Sequence, residues 1–209
     1  MTEQVRHWDD LHTGYDTGTS SDGPSSLAKE AARSLPARSR VLELGCGSGA
    51  DAAYLAGAGH DVLAVDFSEV AIRRAASRYA DVGVDFRVAD FSLPLDLRSE
   101  SFDLVYSRLS IHYFPDSVTR AVVDEITRVL VRKGRLVALC KSVADPLCGR
   151  GSRIEDDMFL LDDHVRHFFS AGYMYDLLDG RFRPVDVTEF EGVVYGQDSA
   201  FVKAVARRS

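Results

Sequence analysis

The chain has 209 residues, of which 45% are hydrophobic and 27% charged, enough length and apolar content to bury a core within one domain. A net charge of −7 and a pI near 5.3 exclude a general affinity for nucleic acid, whose phosphates need a basic face. Cys46, Cys140 and Cys148 show no paired spacing, which argues for reduced thiols and against a disulfide frame or a zinc site. The polar start MTEQVRHWDD has no signal core, and no apolar run approaches membrane-spanning length, so a soluble cytoplasmic protein is expected.

Residues 1–25 open with aromatic and charged side chains and continue into GYDTGTSSDGPSS, a run of turn formers. This predicts a short helix, then a mobile loop, then a helix over Ser26–Ser34. Five short strands rich in Val and Leu follow: RVLEL (40–44), DVLAVD (61–66), VDFRVA (84–89), FDLVYS (102–107) and RLVALCK (135–141). Their apolar content predicts a sheet covered on both faces. Between them lie predicted helices at Ala50–Ala58, Glu69–Tyr79 and Ser117–Val131, the last with Gly134 as its stop. Such alternation predicts right-handed crossovers and a ligand site at the carboxyl ends of the strands. Another helix is expected near Ser170–Leu178. After it, PVDVTEFEGVVY and SAFVKAVAR flank Gly196-Gln197-Asp198, a hairpin signal that predicts an antiparallel finish.

The segment VLELGCGSGADAAYLAGAGHDVLAVDFS (Val41–Ser68) reads as a buried strand, a glycine-rich turn, a helix and a second strand ending on an acid. Gly45, Gly47 and Ala50 satisfy G-x-G-x-x-G/A, with Asp66 about 20 residues on, so a dinucleotide is one cofactor that fits. Three features point elsewhere. The turn is GCGSG, with a third glycine at Gly49. A second acid step, Asp90-Phe91, follows the third strand, and the sheet ends in a hairpin.

ELGCGSG, the Ala-Asp-Phe step and SFDLVYS together resemble the class I S-adenosylmethionine-dependent methyltransferases, over roughly Ser26–Arg207. The resemblance implies an α/β, three-layer Rossmann-like fold with a mostly parallel seven-stranded sheet ending in an antiparallel hairpin. It implies one domain over residues 1–209, with an N-terminal lid (1–25) and a cap insert after strand five (143–169). The cofactor would be S-adenosylmethionine. Gly45, Gly47 and Gly49 would let the backbone approach its methionine end, with Glu43 orienting the turn and receiving the ammonium. Asp66 would accept the ribose hydroxyls, a task its two oxygens suit, with Phe67 beside the adenine. Asp90 and the Phe91 N–H would meet the adenine, Ser107 would lie by the methionine portion, and Tyr15 would close over the cofactor. A simple helix cap at Asp66 and a purely core role for the Phe91 side chain are the bland alternatives.

Substrate contacts are expected from the lid, the loop after strand four and the insert. Candidates are Trp8, Arg108, His112, Arg166 and His167, with His112 as a base near neutral pH. Trp8 as helix packing and His112 as a satisfied structural histidine are the competing readings. The insert, DPLCGRGSRIEDDMFLLDDHVRHFFS, resembles the cap of thiopurine and tellurite-resistance methyltransferases through Gly149-x-Gly151-x-x-Ile154-Glu155 and His167-Phe168-Phe169. His164 and His167, three apart near Asp162 and Asp163, could share a helix face, but no metal is expected. The acceptor is a small molecule presenting oxygen, nitrogen, sulfur or another chalcogen, with no nucleic-acid or membrane partner and a monomer or homodimer. An NAD-dependent oxidoreductase and a non-catalytic S-adenosylmethionine-binding partner protein are the alternatives.

Overall fold

A computed structural model describes Trp8 and residues 23–162, 164–194 and 196–209. Seven strands form the main sheet: β1 (Arg40–Leu44), β2 (Asp61–Asp66), β3 (Asp85–Val88), β4 (Phe102–Arg108), β5 (Leu130–Lys141), β9 (Phe182–Val194) and β10 (Gln197–Arg208). Their order is β3-β2-β1-β4-β5-β10-β9. The first five run parallel, as when Val41 pairs with Val62 on one side and Leu104 on the other. β10 pairs antiparallel to both β5 and β9, which gives the expected terminal hairpin.

Alternation along the strands divides the core into two layers, because successive side chains point to opposite faces. Val41, Val62, Ala64, Leu104 and Val137 pack with α1 (Ser26–Arg33), α2 (Ala50–Gly57) and α3 (Glu69–Arg78). Leu42, Leu44, Leu63, Val105 and Leu136 pack instead with α4 (Asp116–Val129) and α5 (Ala171–Leu178). In α4, the buried Val122, Val123, Ile126 and Val129 recur at helical spacing and define its sheet-facing stripe.

Two expectations need correction. Helix α4 ends at Val129 and passes directly into β5, because Leu130 is already extended (φ −69°, ψ 141°). Gly134 therefore stops no helix. It lies inside β5, where an added Cβ would come within 2.8 Å of the Val131 carbonyl oxygen. The second correction concerns the insert. It folds as a small antiparallel sheet of β6 (Ser152–Glu155), β7 (Met158–Leu161) and β8 (His164–His167), in the order β6-β7-β8. His164 and His167 are thus on a strand, where an odd spacing puts side chains on opposite faces, and they share no helix face. The insert is tied to the body by Phe169 N–H donating to the Lys141 carbonyl (2.8 Å) and Asp116 N–H donating to Glu155 (3.1 Å).

Candidate active site

The carboxyl edge of the parallel strands gathers most of the singled-out residues. The turn after β1 begins where Gly45 and Cys46 both donate to the Val65 carbonyl, at 2.8 and 3.1 Å. Gly45 has φ +71°, and a Cβ there would sit 2.4 Å from Ser110 Cβ. Gly49 has φ +76°, with a Cβ position 2.8 Å from Ala75 Cβ and 2.9 Å from the Phe86 ring. Both positions exclude a side chain twice over, through backbone conformation and through contact. The turn is then clasped from β2, as Gly47 N–H donates to Asp66 Oδ2 at 2.9 Å.

Asp66 is buried at the end of β2, and its Oδ1 accepts the Ser68 N–H at 2.9 Å. The helix cap is Ser68, whose Oγ accepts the Ala71 N–H at 3.1 Å, so Asp66 is not the capping residue. Phe67 is half-buried beside it. Asp90 follows β3 and accepts both the N–H and the Oγ–H of Ser92, at 2.9 and 2.6 Å. The Phe91 side chain is buried in the core, edge-on to Phe114 at 5.4 Å. Ser107 is fully buried and shares a hydrogen bond with Ser110 (2.7 Å), which donates to the Leu44 carbonyl.

Beneath the turn, on the α1–α3 face, lies a set of acids. Glu43 is 3% exposed, and its Oε2 has no hydrogen-bond partner among the described residues. Burial pushes its carboxyl well above the usual range, with Asp51 and Asp66 adding to the shift and Arg108 opposing it. Asp51, in the first turn of α2, accepts the Ser25 N–H (2.6 Å), the Ser25 Oγ–H (2.8 Å) and the Tyr106 O–H (2.7 Å). Asp51, Tyr106 and Ser110 escaped the sequence reading. Their only sequence signal is adjacency to the glycine turn and β4, and apart from the Ser107–Ser110 bond their partners lie 26 to 81 residues away.

The residues expected to contact the acceptor lie around the 3₁₀ turn Ile111–Tyr113 that follows β4. His112 is fully buried, and neither ring nitrogen has a hydrogen-bond partner among the described residues. Burial first, then His164, Lys141, Arg166 and His167, hold it well below the ordinary histidine range. Its ring lies 4.2 Å from that of Tyr113. Trp8 and His164 meet the same tyrosine edge-on at 5.1 and 4.8 Å, and each other at 5.0 Å. His167 is also buried, with Nδ1 unbonded, against Phe169 (4.7 Å) and Tyr173 (4.8 Å). Arg108 is half-buried close to Glu43, and Arg166 shares a face of β8 with His164.

A node that the sequence reading missed stands at the end of β5. Lys141 Nζ donates to Asp145 Oδ2 and Ser199 Oγ, each at 2.7 Å, and the same Asp145 oxygen accepts the Ala200 N–H. Tyr15 and Asp163 lie outside the described residues. Among the described residues, no group of three or more His, Cys, Asp or Glu is placed to hold a metal ion, and no helix is long and apolar enough to cross a membrane.

Residues 41–134 match the profile of a methyltransferase domain family. The chain is 34% identical over 139 residues to a 27-O-demethylrifamycin SV methyltransferase of Amycolatopsis mediterranei, covering 61% of this chain and 50% of that one. It spans half or less of the length of the curated relatives it matches. Its fold is similar to an S-adenosylmethionine-dependent methyltransferase from Methanosarcina mazei (TM-score 0.73, 24% identity, 86% of this chain and 96% of that one). It is also similar to the Burkholderia thailandensis 1,6-didemethyltoxoflavin-N1-methyltransferase solved with its substrate and S-adenosylhomocysteine (TM-score 0.75, 19% identity, 100% and 88%). Residues 41–134 are thus similar to a methyltransferase domain, and the fold is similar to that of S-adenosylmethionine-dependent methyltransferases.

Proposed function

From these likenesses we propose that the chain transfers the methyl group of S-adenosylmethionine to a small-molecule acceptor at the carboxyl edge of its sheet. The observation that carries this reading is the cradle itself. Glycines 45 and 49 leave no room for a side chain, Asp66 clasps the turn, and a buried Glu43 oxygen is left unbonded beneath it. A buried carboxylate oxygen without a donor costs free energy unless a ligand supplies one, and an ammonium group does so.

The residues present fit the cofactor. The backbone of Gly45, Gly47 and Gly49 would hold the methionine end, with Glu43 toward the ammonium. Asp66 accepts one backbone N–H on each oxygen, and its two carboxylate oxygens suit the paired hydroxyls of a ribose. Phe67 would flank the adenine, Asp90 and the Phe91 N–H would meet its edge, and Ser107 and Tyr15 would complete the enclosure. When bound, the sulfonium supplies an activated methyl group for in-line displacement. The chain contributes orientation and exclusion of water, and His112 takes the acceptor's proton where one must leave. Trp8, Arg108, Arg166 and His167 would contact the acceptor, with segment 143–169 as the cap of its site and residues 1–25 as the lid.

Calorimetry with S-adenosylmethionine and with NAD, followed by assay of S-adenosylhomocysteine release, tests the reading. We expect binding of the first alone. Preference for NAD would overturn the cofactor, and binding without transfer to any acceptor would favour a non-catalytic partner protein.

A further inference from the structure

The insert joins the body at a narrow neck, and one buried ion pair sits inside it. The chain leaves the sheet at Lys141, the last residue of β5, and returns at Phe169. There Phe169 N–H donates to the Lys141 carbonyl (2.8 Å) and Val143 N–H to the Phe169 carbonyl (3.2 Å). The Asp145 side chain is fully buried, and that of Lys141 is 13% exposed. Asp145 Oδ2 accepts Lys141 Nζ (2.7 Å) from β5 and the Ala200 N–H (3.1 Å) from β10, while Oδ1 accepts the Leu147 N–H (3.0 Å) of the insert's first turn. Ser199 Oγ, also on β10, accepts a second bond from Lys141 at 2.7 Å, and the ammonium lies 5.3 Å from the centre of the Phe201 ring. One carboxylate therefore fixes two strands and the insert against one another.

We propose, on the methyl-transfer reading above, that Lys141 and Asp145 are positioning residues: their ion pair pins the insert, and with it Arg166 and His167, at the carboxyl edge, independently of the cofactor cradle. The insert's other attachments constrain it less. Asp116 N–H meets Glu155 at an exposed site (3.1 Å), the His167 ring bonds the Phe114 backbone, and His164 and Tyr113 touch ring to ring at 4.8 Å. A buried ion pair gives up the hydration of both partners, so its net stabilisation is small. Removing one partner leaves a buried charge with nothing to answer it, which makes the paired geometry the one the neck holds. The cradle stands apart from this arrangement. Neither Lys141 nor Asp145, nor Ser199 or Ala200, takes part in the bonds of the glycine turn, Asp66 or Ser110.

Trp8 supplies a local readout, as the single tryptophan of the chain, edge-on to His164 of β8 at 5.0 Å. Acrylamide quenching of its fluorescence, peptide-resolved hydrogen exchange and calorimetry with S-adenosylhomocysteine are measured on the whole chain. In Lys141→Met and Asp145→Asn we expect exchange over residues 146–168 to quicken more than about tenfold relative to β1–β4, with Trp8 quenching raised in step. Lys141→Arg keeps the charge and should restore both readouts. S-adenosylhomocysteine affinity should stay within about twofold in every variant, as expected of sites that share no partner. Ser199→Ala removes only the neutral partner and should quicken exchange in the insert more than about threefold; it stands in for the charge variants where they fail to fold. Exchange quickened equally throughout the chain, an unchanged insert and Trp8, no restoration by arginine, or cofactor affinity lost with the pair would overturn the inference. A wild type that binds neither S-adenosylmethionine nor S-adenosylhomocysteine would instead overturn the methyl-transfer reading and leave the pin standing.

Discussion

The glycine turn and the surroundings of His112 and His167 are made in different ways. The turn is local: Gly45 to Ser68 contains the turn, the helix it opens and the acid that clasps it, all within one β-α-β unit. The surroundings of the two histidines are assembled from a 3₁₀ turn, a β-strand of the insert and the start of α5. In the turn the N–H groups of Gly45, Cys46, Gly47 and Gly49 are all bonded within the unit. By contrast, both ring nitrogens of His112 and Nδ1 of His167 have no hydrogen-bond partner among the described residues.

The largest effect should come from breaking the local half at its tightest point. Gly45→Ala forces a Cβ onto Ser110 at a left-handed φ, and we expect S-adenosylmethionine affinity to fall more than about 100-fold by calorimetry. Next is the buried acid that joins α1, α2 and β4. Asp51→Asn replaces an acceptor-only group facing three donors, and about 2 kcal/mol of stability should be lost in urea denaturation. Asp66→Ala removes the clasp and the proposed ribose acceptor, and should weaken S-adenosylmethionine more than about tenfold; unchanged affinity would remove Asp66 from the site.

The smallest effect sharpens the half assembled around His112. His112 is held below its ordinary range by burial and neighbouring cations, so it stays neutral in the fold while the unfolded chain protonates near pH 6.5. Its contribution is therefore complete above that pH and is lost as pH falls below it. The slope approaches about 1.4 kcal/mol per pH unit. Denaturation of the wild type and of His112→Phe between pH 7 and 5 should show a shallower loss in the variant, and parallel curves would mean that His112 is protonated alike in both states.

How much was legible follows the same division. The strands, the glycine turn and Asp66 could be read because each depends on near neighbours: apolar alternation, glycines at forbidden φ, an acid at a strand end. The end of α4 was misplaced because Gly134 looked like a stop, whereas the chain turned at Leu130 to enter the sheet. His164 and His167 were spaced for a helix, but the insert pairs β7 with β8, and strand geometry separated them. The Asp51–Tyr106 and Lys141–Asp145–Ser199 bonds carried no local signal at all.

The sequence by itself determined the layered α/β architecture and the cofactor cradle, since periodicity and backbone stereochemistry act over a few residues. Only the tertiary structure decided the surroundings of His112 and His167. Which side chains meet there depends on sheet order and on the docking of an insert, and burial of a polar atom is a property of the assembled fold.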